Sequence, residues 1–486
     1  MGNSPQIASI HILDDDSLLN IFLLYRPFLL GEGENDYQHL YGGDEPWDQG
    51  RWWYRLAHIC QRWRNLTLGA ASYLRLSLVC TNGTPVGNML AHSPPLPLTV
   101  DYSGEAGITA EDEKGISLAL EQRDRVRHLR LLFPVRDLQK LVMKIDGEFP
   151  ALECLILEPQ VLYSTTTLML PETLQTENLC HLMLRGFTCP ILRPRLHPTA
   201  VGLVTLYLTI DHPSAYFEPN DLLQRISFML QLERLVILFS FPVPNHDVER
   251  QITHTPITTH FTLPYLRWFW FRGVSAYLEA VVRRVTTPRL EKLHIQVSEE
   301  LTFSVPHLMQ FINGTQNLRF DSAEIQFSNK RACVETYARE TDAYAFTIKI
   351  YCEHLDWQVS SAAQISNALR QVFSAVEHLT IKYQIHSESS EEHNDVDRIE
   401  WRNLLRSFRN VKILRVEDGP GLIEKLSCCL RLENGEDVIE LLPELEELTY
   451  FGTRYTGDAF TSFIDARESA GHPVTLVRRN RSPSPS

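Results

Sequence analysis

The chain has 486 residues, 44% of them hydrophobic and 22% charged, which is ordinary globular usage and excludes a wholly disordered, collagen-like or fibrous protein. Its 60 Asp and Glu against 46 Lys and Arg give a net charge of −14, which argues against a general duplex-DNA or anionic-membrane binder. At roughly 100–200 residues per domain, the length allows two to four domains, or one domain plus a repeat array.

The nine cysteines lack regular spacing and include no CxxC pair, so zinc ligation has no support and reduced thiols are expected. No basic segment followed by an apolar run opens the chain, and its apolar stretches fall far short of the ~20 residues of a membrane helix. The expectation is a soluble protein of the cytoplasm, the nucleus or both.

In chain order, residues 7–66 come first. Ile10, Leu13, Leu18, Ile21, Phe22 and Tyr25 form an amphipathic stripe, and residues 14–17 offer oxygen acceptors for a helix start. A polar, acidic, glycine-punctuated insertion (27–51) follows. Trp52, Leu56, Ile59, Cys60 and Trp63 then repeat at helical spacing, with Arg62 and Arg64 beside them. So few short helices bury little apolar surface alone, which points to a partner surface.

The run Ile12-Leu-Asp-Asp-Asp-Ser-Leu-Leu-Asn-Ile-Phe22, with Leu56-Ala-His-Ile-Cys-Gln-Arg-Trp-Arg64, resembles the F-box. The usual Leu-Pro of that motif is Leu13-Asp14 here, and the insertion splits it. Residues 76–86 and the Pro94-Pro-Leu-Pro-Leu98 run also resemble F-box-like proteins of mushroom-forming fungi (basidiomycetes). The resemblance implies a small all-α F-box-like module that docks on a Skp-type adaptor and, through it, on a cullin–RING ubiquitin ligase. The adaptor-facing residues it implies are Leu13, Leu18, Ile21, Phe22, Leu56, Ile59 and Trp63. Packing against the first repeat is the alternative, and the better one for Cys60 and Trp63.

After a connecting and capping region (67–119), one pattern recurs over residues 120–477: apolar, two residues, apolar, one residue, apolar. It appears at Val126/Leu129/Leu131, Leu152/Leu155/Leu157, Leu179/Leu182/Leu184, Leu203/Leu206/Leu208 and Leu232/Leu235/Ile237. It continues at Leu266/Phe269/Phe271, Leu290/Leu293/Ile295, Val376/Leu379/Ile381, Val411/Leu414/Val416 and Leu445/Leu448/Tyr450. The alternation at the end of each copy predicts a short strand, and i, i+3, i+4 patterns such as Leu278/Val281/Val282 predict intervening helices. In the long gap after 290, Leu318 with Phe320 and the alternating Phe346/Ile348/Ile350 supply two degenerate copies. Units of this size bury their apolar faces only by stacking. The pattern resembles a leucine-rich-repeat horseshoe: an irregular α/β solenoid whose parallel sheet lines a concave face. The Asn or Cys usual three residues after the last apolar position is absent from every copy. A doubly wound α/β enzyme would need a glycine-rich phosphate loop, and none occurs.

Residues between the strand leucines point to the concave face. They include seven Lys or Arg and four His against three Glu, opposite in sign to the whole chain. The predicted binding residues are Arg130, Arg185, Tyr207, Trp268, Trp270, Arg272, Lys292, His294, Lys382 and Arg415, and the ligand they suit is an acidic or phosphorylated protein segment. Cover by the proline-rich stretch near Pro242 and Pro256 is the alternative for the two tryptophans. Residues 388–397 read as a solvated acidic loop, and residues 478–486 as a disordered tail with Ser482 and Ser484 before prolines. No HExxH, GxSxG or other catalytic pattern is present, so neither catalysis, metal nor cofactor is expected. A second reading is a plain interaction scaffold whose N-terminal helices only cap the solenoid.

Overall fold

The structure is a computed structural model that describes residues 13–25, 51–160, 167–188, 199–240, 260–298, 305–315, 317–318, 320–338, 343–352, 354–384, 398–417, 422–431, 440–451 and 460–479. The expectations for the insertion, for Pro242 and Pro256, for residues 388–397 and for Ser482 and Ser484 lie outside the described residues. The chain divides into two compact units, Met1–Thr199 and Ala200–Ser486.

The first unit opens with three helices: α1 (Asp15–Tyr25), α2 (Trp52–Ala57) and α3 (Gln61–Gly69). Asp14 starts α1 by accepting the Ser17 N–H at 2.6 Å, an N-cap contact that a proline there could not make. That bond, ahead of the Arg62 charge, holds the Asp14 carboxyl below its ordinary pKa. Cys60 caps α3 in the same way, its sulfur accepting from the Trp63 N–H at 3.5 Å. The interior of this group is Leu18, Phe22, Leu56 and Trp63, with the Phe22 and Trp63 rings 4.9 Å apart.

Strands β1 (Leu78–Cys80), β2 (Leu98–Ser103), β3 (Val126–Phe133), β4 (Cys154–Pro159) and β5 (His181–Arg185) pair in parallel, each with the next. Parallel pairing therefore begins at Leu78, inside the stretch read from the sequence as connecting and capping. Helices α4 (Val86–His92), α5 (Ala110–Leu120) and α6 (Val135–Val142) alternate with these strands. The pattern leucines fall in register, Leu129 on Leu155 and Leu155 on Leu182, and all three are buried.

In the second unit β6 (Thr205–Ile210), β7 (Arg234–Phe239), β9 (Trp268–Gly273) and β11 (Lys292–Ser298) continue the same rule, with a two-residue pair of β8 (Phe261–Thr262) and β10 (Val285–Thr286) beside them. Helices α7 (Pro219–Ile226), α8 (Ser275–Val282) and α9 (Pro306–Asn313) follow their strands. Phe239, Phe271 and Tyr277 form the aromatic core here, with ring centroids 4.9 to 6.3 Å apart. Gly273 ends β9 because a Cβ there would sit 2.8 Å from the Phe271 ring.

The gap after residue 290 is where the structure departs from the expectation of two degenerate parallel copies. Strands β12 (Ser322–Ser328), β13 (Arg331–Ala338) and β14 (Ala343–Tyr351) form an antiparallel meander. Its last strand pairs in parallel with β11, and its first with β15 (His378–Gln384). The copy near 320 is Phe320/Ala323/Ile325, where an alanine fills the place of a leucine. After the meander come α10 (Leu355–Ala368), α11 (Arg370–Phe373), α12 (Arg398–Leu405), α13 (Leu422–Leu430) and α14 (Thr461–Ser469). Between them β15, β16 (Ile413–Glu417), β17 (Glu447–Phe451) and β18 (Thr475–Arg479) restore parallel pairing. The final strand thus includes Arg478 and Arg479, the first two residues of the stretch read as a tail.

In several copies a donor at the other end of the strand ties it to the copy before. Asn178 Nδ2 donates to the Pro150 carbonyl at 2.6 Å, and Asn410 Nδ2 to the Ser374 carbonyl at 2.7 Å. Arg125 does the same for the Leu96 carbonyl at 2.9 Å. Each donor sits just before a pattern leucine or valine and satisfies a loop carbonyl of the preceding copy that would otherwise lack a partner.

Candidate functional site

Two surfaces carry the predicted residues. On the N-terminal helices, Leu18, Phe22, Leu56 and Trp63 face inward, Leu13 is half-buried, and Ile21 (40% exposed) and Ile59 (58%) face outward. Leu24 and Tyr25 are exposed beside Ile21, at i+3 and i+4 on α1. Leu24 was the residue that sequence reading passed over, although its helical spacing from Ile21 was the available signal. Arg62 binds this group together, donating to Asp15 Oδ1 and to the Leu13 carbonyl, each at 2.6 Å. On its other side the group is fastened to the first strand. Trp53 Nε1 donates to the Ser77 carbonyl at 3.1 Å, and Arg51 donates to Thr81 Oγ1 at 2.9 Å.

The other predicted residues lie, in each unit, on the side of the strands that carries the residues between the leucines. Here the structure pairs several of the predicted cations. Arg130 lies 3.3 Å from Asp101, and Arg185 lies 2.7 Å from Glu158. Lys382 sits between Glu324 at 2.9 Å and Glu417 at 3.3 Å. Burial disfavours charge on Lys382, but these two carboxylates outweigh it and hold its pKa above the ordinary lysine value. Asp101, Glu324 and Glu335 reach this face through β2 and the meander, which the repeat pattern had not placed there.

Burial, more than Arg130 can offset, pushes the Asp101 pKa up to about 6. Because the folded value is raised, the stability it contributes is complete below the ordinary aspartate range and is lost as pH rises through about 6. Asp101→Asn is therefore expected to remove this dependence. In urea titrations, the stability difference between native chain and variant should change by on the order of 2 kcal/mol between pH 4 and 7. A difference constant across that range would contradict the assignment.

The remaining predicted residues lie in the second unit, and all but Arg415 stand on β6, β9 and β11. Tyr207 is buried and meets the Trp270 ring edge-on at 6.4 Å, while His294 meets the same ring at 5.2 Å. Arg234 lies over the Trp268 ring at 5.7 Å. Burial, with Lys349 adding to it, pushes His294 down to about 3, so it acts as a neutral imidazole. Lys292 stands half-buried in register with Trp268. Arg272, Gln296 and Lys349 occupy one row across β9, β11 and β14. Arg415 lies apart on β16, between Thr380 and Thr449. The Nε atoms of Arg272 and Arg415 are buried without a hydrogen-bond partner among the described residues. Lys349 was missed, although its place between Ile348 and Ile350 of the alternating stretch was the available signal.

Among the described residues, no group of three His, Cys, Asp or Glu could hold a metal ion, and no helix is long and apolar enough to cross a membrane. No protein-family model matches the chain, and no curated protein matches it in sequence. Among solved structures it is similar to the leucine-rich repeat-containing protein LegL7 of Legionella pneumophila, at 9% identity and a TM-score of 0.23, over 82% of this chain and 98% of that one. The repeat assignment rests on the register and burial of this chain's own strands.

Proposed function

We propose that the chain is a non-catalytic substrate-recognition subunit of a Skp-adaptor, cullin and F-box ubiquitin ligase, acting in the cytoplasm or nucleus. In this reading the N-terminal helices dock on the adaptor, and the sheet face of the repeats holds the protein to be modified. The observation that supports it is the exposed apolar stripe of Ile21, Leu24 and Tyr25, with Ile59, on helices that already have an interior of their own. Exposed apolar side chains grouped in this way suit a protein partner. The polar fastening of α2 to β1 does not use Ile21, Leu24 or Ile59.

The test is co-purification with a Skp-type adaptor. Ile21→Asp combined with Leu24→Asp should abolish capture, since each places a charge in a desolvated contact, and should leave the circular dichroism unchanged because both residues are exposed. Capture that survives both changes, or no capture by the native chain, would sink the ligase reading. The second reading, an interaction scaffold whose helices cap the first strand, is favoured by the Trp53–Ser77 and Arg51–Thr81 bonds. It expects no adaptor capture and destabilisation on Trp53→Phe.

A further inference from the structure

Several cations of the sheet face are paired, whereas Arg272 and Lys349 have no ion pair among the described residues and stand two strands apart in one row. We infer that Arg272, Gln296 and Lys349, with Trp268 and Trp270 beside them, form the site that receives an extended acidic segment of the captured protein. This deepens the recruitment reading and rests on it only for the statement that the sheet face is where the captured protein sits.

Three observations carry the inference. Register places Arg272 opposite Gln296 and Gln296 opposite Lys349. Neighbouring strands lie about 4.8 Å apart, so the two cations stand roughly 10 Å apart at the backbone, with a neutral hydrogen-bonding side chain between them. Side chains of that length converge readily on one or two carboxylates. Arg272 is half-buried and has no ion pair among the described residues; its Nε is enclosed, so the terminal guanidinium nitrogens are the ones that meet an arriving carboxylate. Half-buried Trp268 and Trp270, on the same strand as Arg272, offer a flat apolar floor for the residues next to the acid.

The surroundings limit what can bind. Glu335 and Glu324 stand on the next two strands, and Glu233 and Glu291 lie exposed at the strand starts. Positive potential is therefore confined to a few rungs and edged by acids. A long polyanion would be repelled at both margins, whereas a short acidic stretch fits between them. His294, neutral and edge-on to Trp270, adds a hydrogen-bonding group without adding charge.

The experiment uses the full chain without adaptor, so its result is independent of adaptor capture. Fluorescein-labelled decapeptides alternating Glu with Val, or Lys with Val, are titrated by anisotropy, with inorganic phosphate as competitor. The Glu peptide should bind saturably and the Lys peptide should not. Arg272→Gln and Lys349→Gln should each weaken binding about tenfold, as loss of one charged hydrogen bond does. The double change Arg272→Lys with Lys349→Arg should keep binding within a few-fold, which separates lost charge from lost fold. Lys330→Gln, in the exposed turn between β12 and β13, should change nothing. Equal binding by the native chain and both Gln variants overturns the inference. So does equal binding of the two peptides, or a tryptophan response to phosphate with no binding of the Glu peptide.

Discussion

Trp401→Ala is expected to destabilise the second unit by about 3–5 kcal/mol, the usual cost of emptying a large aromatic site in a core. Trp401 lies on α12, is 1% exposed, and packs edge-on against Phe327 of β12 with ring centroids 5.4 Å apart. It therefore fastens a helix to the first strand of the antiparallel meander, where the repeat is least regular. Its Nε1 has no hydrogen-bond partner among the described residues. Trp401→Phe should then cost far less, about 1 kcal/mol, because only ring volume is lost. Urea denaturation followed by circular dichroism reads both values, and hydrogen exchange should show the loss concentrated in β12 and β15. A Phe variant as unstable as the Ala variant would mean that packing is not what Trp401 supplies.

Glu279→Ala should cost about 2–3 kcal/mol through a different mechanism. Glu279 sits on α8, is buried, and accepts the His307 N–H at 2.9 Å and the Leu308 N–H at 2.8 Å. These are N–H groups of the first turn of α9, which no residue of α9 itself can satisfy. One copy thus supplies the cap of the next copy's helix, and alanine would leave two buried donors unpaired at the positive end of the helix dipole. Glu279→Gln keeps one acceptor and should cost about half as much. Burial, working against the two N–H bonds, leaves the Glu279 pKa above its ordinary value. The folded state therefore holds this proton more tightly than the unfolded one. The stability contributed is complete below the ordinary glutamate range and declines as pH rises through the raised value. The native chain's advantage over Glu279→Gln should accordingly narrow with rising pH, and thermal melts from pH 4 to 7 measure it. An advantage that widens would refute the assignment.

What could be read in advance followed from local periodicity. Leucines two apart, after an anchor three residues earlier, place one side of a strand in a core whatever its neighbours are, so ten rungs were legible from their spacing alone. The start of α1 was legible too, because Asp14 acts on an N–H three residues away. The alternation of Trp268 and Trp270 with Phe269 and Phe271 announced one half-buried and one buried side of β9. The rung at Phe320/Ala323/Ile325 escaped because alanine carries little hydrophobic signal. The reversal into β13 escaped because the turn at Asn329 and Lys330 has no glycine to mark it.

Strand direction and cross-strand company were settled only by tertiary structure. Arg130 and Asp101 are 29 residues apart in the chain, Lys382 and Glu324 are 58 apart, and Arg272 and Lys349 are 77 apart. Whether a cation on the sheet is neutralised or available depends on which strand lies 4.8 Å away, and the antiparallel meander decides that for β11, β14 and β15. The sequence by itself determined which side of each of the ten regular strands enters the core, since that burial is a property of period. The charge of the sheet face belongs to the fold, since electrostatics is a property of neighbours.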